Sequence, residues 1–454
     1  MKFDLIVLGG VAAGTSAAAA AKRENTNLKI AIFQKEPFIS YGGCGLPYVL
    51  TEDVKSTDSL FAFTPEKFKL EKGVEVFINH EALSVDFDKK LVQIKNDNNI
   101  FFAEYDKLII ATGASPIKPD FGYSGEGIYY VRNPEDINEI EIYIKKYNPQ
   151  NAVVIGGGFI GVEILEGLVH KKIHTTLIEG SSNLLGDIEP EIHEYFYENM
   201  KNEMLEVKFN SFVKKINKNE KFEILIDDEI VETEMIIVSI GVKPNTNFLK
   251  NSKIELLKNG AVKVDEFMRT NIKDVYSAGD CASVKHFITK EDVYIPLGTT
   301  ANKQGKIAGK NSIGKNESFS GVVGSLITKF DDIEYAKTGL SYKEAISKGF
   351  DADFVVIKSR NRAGYYNGNS RIIMKLIFEK VTGRILGAQY SGKELLGRIN
   401  VIVSLIYKNG TIYDLNNLDL PYSPPFSPVW DINLLAASNA IKKWREELSS
   451  LHFL

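Results

Sequence analysis

Short, continuous apolar runs recur along the first half of the chain, and each of them ends at a turn of small residues. Examples are residues 5–8 before Gly9 and residues 152–155 before Gly156. A strand buried on both faces gives a continuous apolar run, whereas a strand with one solvent face alternates apolar and polar residues. Because helical stretches lie between the runs, the pattern predicts parallel strands joined by helices, an α/β fold.

The first turn, residues 9–14 with the sequence GGVAAG, predicts a dinucleotide site. A helix is predicted to continue to about Arg23, and the next strand, residues 29–33, ends at Gln34. In such a unit, small residues let the backbone approach a pyrophosphate, and the helix N-terminus attracts its charge. The copy is imperfect, since Val11 replaces the second glycine and Gln34 replaces the usual carboxylate. A glutamine can still form a hydrogen bond with a ribose hydroxyl.

The second turn carries the complete pattern. Glycine occupies all three positions of the motif, at Gly156, Gly158 and Gly161. Glu179 follows the next predicted strand, 18 residues after Gly161, which suits recognition of a ribose. Because its carboxylate repels a 2′-phosphate, the residue predicts NADH rather than NADPH. Two units of this kind imply two bound dinucleotides.

Three further segments fit this organisation. Residues 106–114 and 235–244 are predicted buried strands that end in small-residue turns, and each is interpreted as a crossing between domains. Residues 275–282 predict a strand whose glycine turn presents Asp280 to the start of a helix. Its carboxylate is suited to accept a hydrogen bond from a sugar-alcohol hydroxyl, or else to cap the helix. The residues alone leave both interpretations open.

Cys44 is one of only two cysteines and lies in a glycine-rich stretch, residues 40–48. Pro47 is tolerated in the first turn of a helix, so the segment predicts a sulfur at a helix N-terminus. Unpaired amides and the helix dipole favour the thiolate there, which is the reactive form. The alternative is a small, buried cysteine in a glycine-rich turn. Cys281 is interpreted as a packed small residue.

The composition narrows the class of protein. A chain of 454 residues predicts two or three domains. Its net charge of −4 provides no general basic field for nucleic acid or a membrane surface, and no apolar run is long enough to cross a membrane. Two cysteines suit a reducing compartment. Because a predicted strand begins almost at Met1, without a targeting segment, we expect a cytoplasmic protein.

The pattern changes after about Phe319 to that of an α+β domain. Short strands are predicted at residues 325–328, 354–357, 372–378 and 385–390, followed by a helix at 399–407. Four prolines within residues 421–428 predict a rigid, extended segment rather than a helix.

In this order, the motifs resemble those of the pyridine nucleotide–disulfide oxidoreductases along essentially the whole chain. The chain is most similar to their single-cysteine branch, which includes coenzyme A-disulfide reductases, NADH oxidases and peroxidases, and CoA-persulfide reductases. Members with two redox cysteines carry the second one five residues after the first, where this chain has Val49. The oxidases and peroxidases that form water carry a histidine in the first turn, where this chain has Ala12.

Other short motifs resemble those of the coenzyme A-dependent members. They are the first turn (residues 9–14), the stretch Ser-x-x-x-Cys-Gly-Leu-Pro-Tyr (residues 40–48), the pair Tyr365 and Tyr366, and a Tyr-x-Pro-Pro motif that starts at Tyr422. There are two departures. Asn367 replaces the proline that usually follows the tyrosine pair, and no lysine stands near Trp430, where some reductases have one that touches coenzyme A.

The resemblance implies a fold and a division into domains. The fold is α/β, with two Rossmann-like dinucleotide-binding domains and a C-terminal α+β dimerisation domain. Residues 1–115 and 243–320 are expected to form a discontinuous FAD-binding domain. Residues 116–242 are expected to form the NAD(P)H-binding domain, and residues 321–454 the dimerisation domain of a homodimer.

The resemblance also implies three sets of binding residues. FAD is expected on Gly9, Val11, Ala12, Ala13, Gly14, Gln34, Lys35, Thr112, Gly113, Asp280, Leu297 and Gly298. NADH, with NADPH as the alternative, is expected on Gly156, Gly158, Phe159, Ile160, Gly161, Glu163, Glu179 and Gly241. Coenzyme A is expected on Ser16, Arg23, Ser40, Gly43, Lys72 and Asn302. Arg23 and Lys72 suit a polyanion, although two solvated surface cations are the alternative.

The implied function is an FAD-dependent, NADH-driven reduction of coenzyme A disulfide or CoA persulfide. Cys44 is expected to attack the S–S bond and form a mixed disulfide with coenzyme A. Tyr422, with Tyr365 or Tyr366, is expected to donate a proton across the dimer interface. Two alternatives stay open: an NADH oxidase in which Cys44 cycles through a sulfenic acid, and a flavoprotein redox sensor that docks a protein partner. Neither nucleic acid nor a membrane is an expected partner.

Overall fold

Parallel strand–helix units fill the first part of the chain, as the apolar pattern predicts. The computed structural model describes residues 1–97 and 99–451. The first elements are β1 (Lys2–Leu8), α1 (Ala12–Glu24), β2 (Ile30–Phe33), α2 (Pro47–Leu50), α3 (Pro65–Lys72), β3 (Glu75–Phe77), β4 (Glu81–Asp86), β5 (Leu91–Lys95), β6 (Ile100–Ile110) and β7 (Ala114–Pro116). Short 3₁₀ helices span Gly43–Gly45, Thr57–Leu60 and Asn247–Leu249.

The remaining elements belong to the middle and the end of the chain. The middle contains β8 (Ile128–Tyr130), α4 (Pro134–Tyr147), β9 (Asn151–Ile155), α5 (Phe159–His170), β10 (His174–Ile178), α6 (Pro190–Asn199), β11 (Leu205–Lys208), β12 (Val213–Lys218), β13 (Phe222–Ile226), β14 (Glu229–Thr233), β15 (Met235–Val238), β16 (Val242–Pro244), β17 (Val275–Ser277), β18 (Val284–Lys285), β19 (Asp292–Val293) and α7 (Gly298–Ser312). The end contains β20 (Leu326–Phe330), β21 (Ile333–Gly339), α8 (Tyr342–Ser347), β22 (Ala352–Arg360), β23 (Arg371–Glu379), β24 (Ile385–Gly392), α9 (Leu396–Tyr407), α10 (Ile412–Asn416) and α11 (Ile432–Leu451).

The first sheet is built around β1. Its strand order is β3-β2-β1-β6-β5-β4, and β17 also pairs with β6. β1 runs parallel to β2 and β6, with Leu5 beside Ile30 and Lys107. β17 is parallel to β6 as well, so a strand from late in the chain joins a sheet that starts at its beginning. The side chains of β2 are all buried, which explains their continuous apolar run.

The second sheet has the strand order β11-β10-β9-β15-β8, and its pairs are parallel. β12, β13 and β14 form an antiparallel ladder of their own. A short antiparallel ladder between β7 and β16, with Ser115 opposite Lys243, marks the passage of the chain between the first and second sheets. The two crossing segments predicted from the sequence therefore meet at this ladder.

The third sheet is antiparallel, with the order β20-β21-β24-β23-β22, and it packs against α9, α10 and α11. The strands and the helix predicted after residue 319 are confirmed as β20, β22, β23, β24 and α9. Residues 420–431 contain neither helix nor strand, as their prolines predict. A helix after Asp280 is not found, because a turn leads directly into β18; that prediction is wrong.

A buried ion cluster joins α6 to the third sheet. The side chain of Lys375, on β23, is 3% exposed, and its Nζ lies 2.8 Å from Glu189 and 2.9 Å from Glu191 at the start of α6. The backbone N–H of Glu189 donates to Gln389 on β24 at 2.7 Å. A buried charge is costly unless it is paired. The cluster therefore fixes α6 against this sheet.

α1 and α7 pack backbone against backbone. A β-carbon at Gly305 would lie 2.2 Å from the carbonyl oxygen of Ala13, and one at Gly309 would lie 2.1 Å from that of Ala17. Carbon and oxygen cannot approach this closely, so glycine is required at both positions. The alanine run of α1 supplies the matching flat face.

No helix in the described ranges is long and apolar enough to span a membrane.

We expect Gly305→Ala to destabilise the protein by about 1–3 kcal/mol, because the added methyl group overpacks the contact with Ala13. In an ordinary helix the same change stabilises by up to about 1 kcal/mol. Thermal unfolding measures the difference. Gly397→Ala in α9 is the matched control, since its β-carbon meets nothing within 4 Å. A Gly305→Ala protein as stable as the control would contradict the close contact.

Candidate active site

Cys44 lies in the 3₁₀ helix Gly43–Gly45, immediately before the single turn of α2. The Cys44 residue is exposed to solvent. The N-terminus of α7 lies directly beside it, since a β-carbon at Gly298 would be 3.7 Å from Cys44 Sγ. The structure therefore brings Leu297 and Gly298, predicted for FAD, to the predicted nucleophile. Cys281 is fully buried near the carbonyl oxygen of Ile110 and is a packed small residue, as interpreted.

The surroundings of Cys44 favour the thiol. Burial against the protein raises the pKa of Cys44, and the carboxylates of Glu163 and Asp280 raise it further. Arg132 acts in the opposite direction with a smaller effect. The expectation of a lowered pKa is therefore wrong for the protein alone. α2 has four residues and supplies a small dipole, whereas both carboxylates come from distant parts of the chain.

Glu163 is held in place by two other elements. Its Oε1 accepts a hydrogen bond from the Tyr48 hydroxyl at 3.2 Å and another from the Thr328 hydroxyl at 3.0 Å. Tyr48 ends the cysteine motif, and Thr328 lies on β20 of the third sheet. One turn along α5, Glu166 pairs with Lys329 of the same strand at 2.9 Å. Burial is the main reason why the pKa of Glu163 is raised.

The first glycine turn fits an FAD. Gly9 has a φ of +104°, and a β-carbon there would lie 2.1 Å from the carbonyl oxygen of Ala111. The turn thus runs directly beside Thr112 and Gly113. Asp280 is largely enclosed, its pKa is raised by burial, and its carboxylate accepts no hydrogen bond from the described residues. An enclosed carboxylate without a donor suits the hydroxyls of a sugar alcohol such as that of FAD.

The side chain of Gln34, which was expected to bind a ribose hydroxyl of FAD, forms hydrogen bonds within the protein. Its Oε1 accepts from the Gly10 N–H at 2.7 Å, and its Nε2 donates to Glu36 at 3.0 Å. Because both ends of the amide are engaged, a contact of Gln34 with a ribose stays a prediction, and Glu36 is the carboxylate nearby. Lys35 is exposed and pairs with Glu81 at 2.8 Å.

The second glycine turn is open on the side expected for NADH. A β-carbon at Gly158 would meet nothing within 4 Å. The carboxylate of Glu179 accepts from the Gly157 N–H and the Ser181 N–H, each at 2.7 Å. Phe159 stacks on Tyr335 of the third sheet, Ile160 is exposed, and Gly241 leads into β16. A carboxylate has further lone pairs, so Glu179 can also accept from ribose hydroxyls.

Five of the six residues predicted for coenzyme A line one groove of about 480 Å³. They are Ser16, Arg23, Ser40, Lys72 and Asn302. The Ser16 hydroxyl donates to Asn302 Oδ1 at 2.8 Å, which ties α1 to α7 at this point. Gly43, the sixth residue, adjoins Cys44. Lys303 and Lys306 also line the groove and were missed, because helical spacing alone does not show what α7 faces.

The two tyrosine motifs of the C-terminal part meet in space. The hydroxyls of Tyr365 and Tyr422 lie 3.4 Å apart, and the Ala363 N–H donates to the Pro424 carbonyl at 3.2 Å. The Tyr365 contact raises the pKa of Tyr422. Tyr366 lies beside the pair without a hydrogen bond to Tyr422. In the described part of a single chain, the hydrogen bonds of Tyr365 and Tyr422 do not reach the Cys44 segment.

Arg132 is a further site residue that the sequence did not indicate. It precedes α4, and a β-carbon at Gly113 would lie 2.9 Å from its Nη2. It also donates to the Ala114 carbonyl oxygen. Its charge lowers the pKa of both Asp280 and Cys44 against the effect of burial. Arg132 therefore supplies a positive charge that partly offsets the effect of burial on Asp280 and Cys44.

Comparison with protein families identifies the fold. The pyridine nucleotide-disulphide oxidoreductase model matches residues 3–305, and the dimerisation domain of the same family matches residues 326–432. The chain belongs to this family. It is an oxidoreductase of a family that uses FAD and NAD(P)H. The α/β fold and the C-terminal dimerisation domain predicted from the sequence are confirmed.

Three relatives are similar over nearly the whole chain. A Pyrococcus horikoshii protein named NAD(P)H coenzyme A polysulfide/persulfide reductase is 34% identical over 95% of this chain and 97% of its own. A Methanocaldococcus jannaschii protein named NADH oxidase is 33% identical over 96% and 98%. A Staphylococcus aureus protein named coenzyme A disulfide reductase is 30% identical over 94% and 97%.

A solved structure is similar to this chain over nearly its whole length. The NAD-dependent persulfide reductase from A. fulgidus superposes with a TM-score of 0.94 at 33% identity, covering 99% of this chain and 84% of that protein. At this similarity the arrangement of the sheets is shared along the whole chain.

We expect Glu163→Gln to lower the pKa of Cys44. The substitution removes a negative charge that opposes the thiolate, while the glutamine oxygen can still accept from Tyr48 and Thr328. The pH dependence of alkylation of Cys44 by iodoacetamide measures the change. Glu166→Gln, one helical turn away, is the control. An equal shift in both variants, or none in Glu163→Gln, would show that Glu163 does not act on the sulfur.

Proposed function

We propose that this chain is an FAD-dependent, NAD(P)H-driven reductase of coenzyme A disulfide or CoA persulfide, acting through Cys44. One observation carries the proposal: the exposed sulfur of Cys44 lies at the start of α7, and the same helix continues into a groove with basic side chains. The names of two relatives, a coenzyme A disulfide reductase and a coenzyme A polysulfide/persulfide reductase, support the same substrate class.

The proposed chemistry begins with the thiolate of Cys44. It attacks one sulfur of coenzyme A disulfide, so that a Cys44–coenzyme A disulfide forms and coenzyme A leaves as a thiolate. With CoA persulfide, attack on the sulfur bonded to carbon gives the same mixed disulfide and releases hydrosulfide. The first glycine turn and Asp280 would hold FAD, which would supply the two electrons from NAD(P)H needed to reduce the mixed disulfide to the Cys44 thiolate and free coenzyme A.

Tyr422 is the proposed proton donor to the departing thiolate. Its side chain is exposed, and the hydrogen bond with Tyr365 raises its pKa, which favours the protonated form that a donor needs. Because no hydrogen bond links these tyrosines to the Cys44 segment among the described residues, we propose that they act on the sulfur of a second copy in a homodimer. Exposed apolar side chains in the same segment, including Phe426, Val429 and Trp430, support that interface.

The proposal includes a preference for NADH and a location. The backbone N–H groups of Gly157 and Ser181 hold the carboxylate of Glu179 at the end of β10, where its negative charge repels a 2′-phosphate. Two free cysteines fit a reducing compartment such as the cytoplasm.

We also propose a division of the chain into three domains. They are residues 1–115 with 243–320, residues 116–242, and residues 321–454. The support for this division is that the strands change from one sheet to another near these positions.

We expect the unreduced protein to carry an adduct of coenzyme A mass that is lost on reduction. Cys44→Ser removes the adduct and the reduction of coenzyme A disulfide by NADH, while FAD stays bound. Intact mass spectrometry and the visible spectrum measure both. Cys281→Ser, at a buried sulfur, is the control and keeps the adduct. An oxygen-atom adduct with fast oxygen reduction would instead establish an NADH oxidase.

We expect Tyr422→Phe to lower kcat for coenzyme A disulfide by about 10²-fold or more, the usual contribution of a positioned proton donor. Tyr365→Phe has a smaller effect, since it removes only the partner of Tyr422. Tyr366→Phe leaves the rate nearly unchanged. Steady-state rates at several pH values decide this. If Tyr366→Phe is the most damaging of the three, the assignment of roles is wrong.

A further inference from the structure

The chain contains three asparagine–glycine pairs, which begin at Asn259, Asn367 and Asn409. In such a pair the backbone nitrogen of glycine can attack the side-chain amide carbon of asparagine, because glycine has no side chain that shields its nitrogen. The new C–N bond closes a succinimide ring, and the amide nitrogen leaves as ammonia with the proton of the glycine N–H. Water then opens the ring to aspartate or isoaspartate. The fold decides which of the three pairs can react.

Two of the three pairs are held in a way that opposes this attack. The Gly260 N–H donates to the Leu257 carbonyl oxygen at 2.8 Å, and the Gly410 N–H donates to the Leu405 carbonyl oxygen at 2.8 Å. The nitrogen has to lose its hydrogen to act as a nucleophile. Because a hydrogen bond to a carbonyl oxygen holds both the hydrogen and the nitrogen in place, it slows the reaction at these two pairs.

The Asn367–Gly368 pair has no such contact. Both residues are exposed in the turn between β22 and β23. Neither the Gly368 N–H nor the Asn367 side chain forms a hydrogen bond with any residue in the described ranges. The turn around the pair is nevertheless held, since the Asn369 side chain donates to the carbonyl oxygens of Gly364 at 3.2 Å and Tyr366 at 2.8 Å. The attacking nitrogen and the amide are therefore both open to water.

Positive charge borders the same turn. A β-carbon at Gly368 would lie 3.3 Å from Nη1 of Arg362, and Arg360 donates a hydrogen bond to Asn369 Oδ1. Nearby cations favour the loss of a proton from a nitrogen, and they attract the carboxylate that the reaction leaves behind. Arg362 is already paired with Glu394. Arg360 forms no ion pair with a carboxylate in the described part of the chain, so it is available to the product.

We infer that Asn367 is a site of spontaneous deamidation in the folded protein. The reaction adds a negative charge to the turn that carries Tyr365 and Tyr366. It needs only water, so the inference does not depend on the proposed function. Asn367 stands where a proline usually follows the tyrosine pair, and a proline cannot react in this way. The modified fraction of the protein therefore grows with time at a position where a proline would stay unchanged.

The test follows the three asparagines in one sample. The FAD-loaded, full-length protein is incubated at neutral pH, and peptide mapping by mass spectrometry measures the fraction of acid at each position. Labelling by a protein isoaspartyl methyltransferase detects isoaspartate independently. We expect Asn367 to react about tenfold faster than Asn259 and Asn409, because one hydrogen bond at the attacking nitrogen accounts for about that factor. Asn367→Gln removes the signal at this position and leaves the other two unchanged.

The same protein unfolded in urea is the control. All three glycine nitrogens are then free, so we expect the three rates to become similar. Equal rates at the three positions of the folded protein would overturn the inference. A folded protein that keeps the Asn367 amide, while the unfolded protein loses it, would overturn it as well. A preference for Asn367 that is just as large in urea would show that the fold does not select this site, and it would also overturn the inference.

Discussion

The direct backbone contact between α1 and α7 is the constraint on which the site depends. α1 follows the first glycine turn and carries Ser16 and Arg23, whereas α7 begins beside Cys44 and carries Asn302. Because no side chain separates the helices at Gly305 and Gly309, they can adopt one distance only. The contact therefore fixes the first glycine turn, at the start of α1, relative to the start of α7, where Gly298 adjoins the sulfur of Cys44.

Burial and the charges around Cys44 shift its sulfur toward the thiol form. Two carboxylates and burial against the protein favour the thiol, and Arg132 opposes them with a smaller effect. A thiol is far less nucleophilic than a thiolate and is oxidised more slowly. The basic groove carries the opposite charge and lies along α7. The chain thus separates the place that attracts a polyanion from the place where sulfur chemistry occurs, and the helix links the two.

Much of the fold could be predicted because its signals are local. The glycine turns, the apolar runs and the proline-rich segment act within a few residues of chain, and they appear as expected. The pKa of Cys44 could not be predicted, because Glu163 and Asp280 approach it from far along the sequence. Lys303 and Lys306 were missed because the spacing of residues along α7 does not show which of its faces borders the groove. The helix expected after Asp280 was wrong, since an N-cap residue type does not ensure a helix when a β-strand follows.

The ion cluster of Lys375 has a consequence for the exchange of nucleotides. Lys375 fastens α6 to the third sheet, and Thr328 and Lys329 fasten α5 to the same sheet. α5 and α6 are thereby attached to one sheet at two separate places, and any rotation of these helices away from the third sheet has to break both sets of contacts together. The second glycine turn leads directly into α5. A nucleotide bound at this turn therefore meets a helix whose position the third sheet helps to hold.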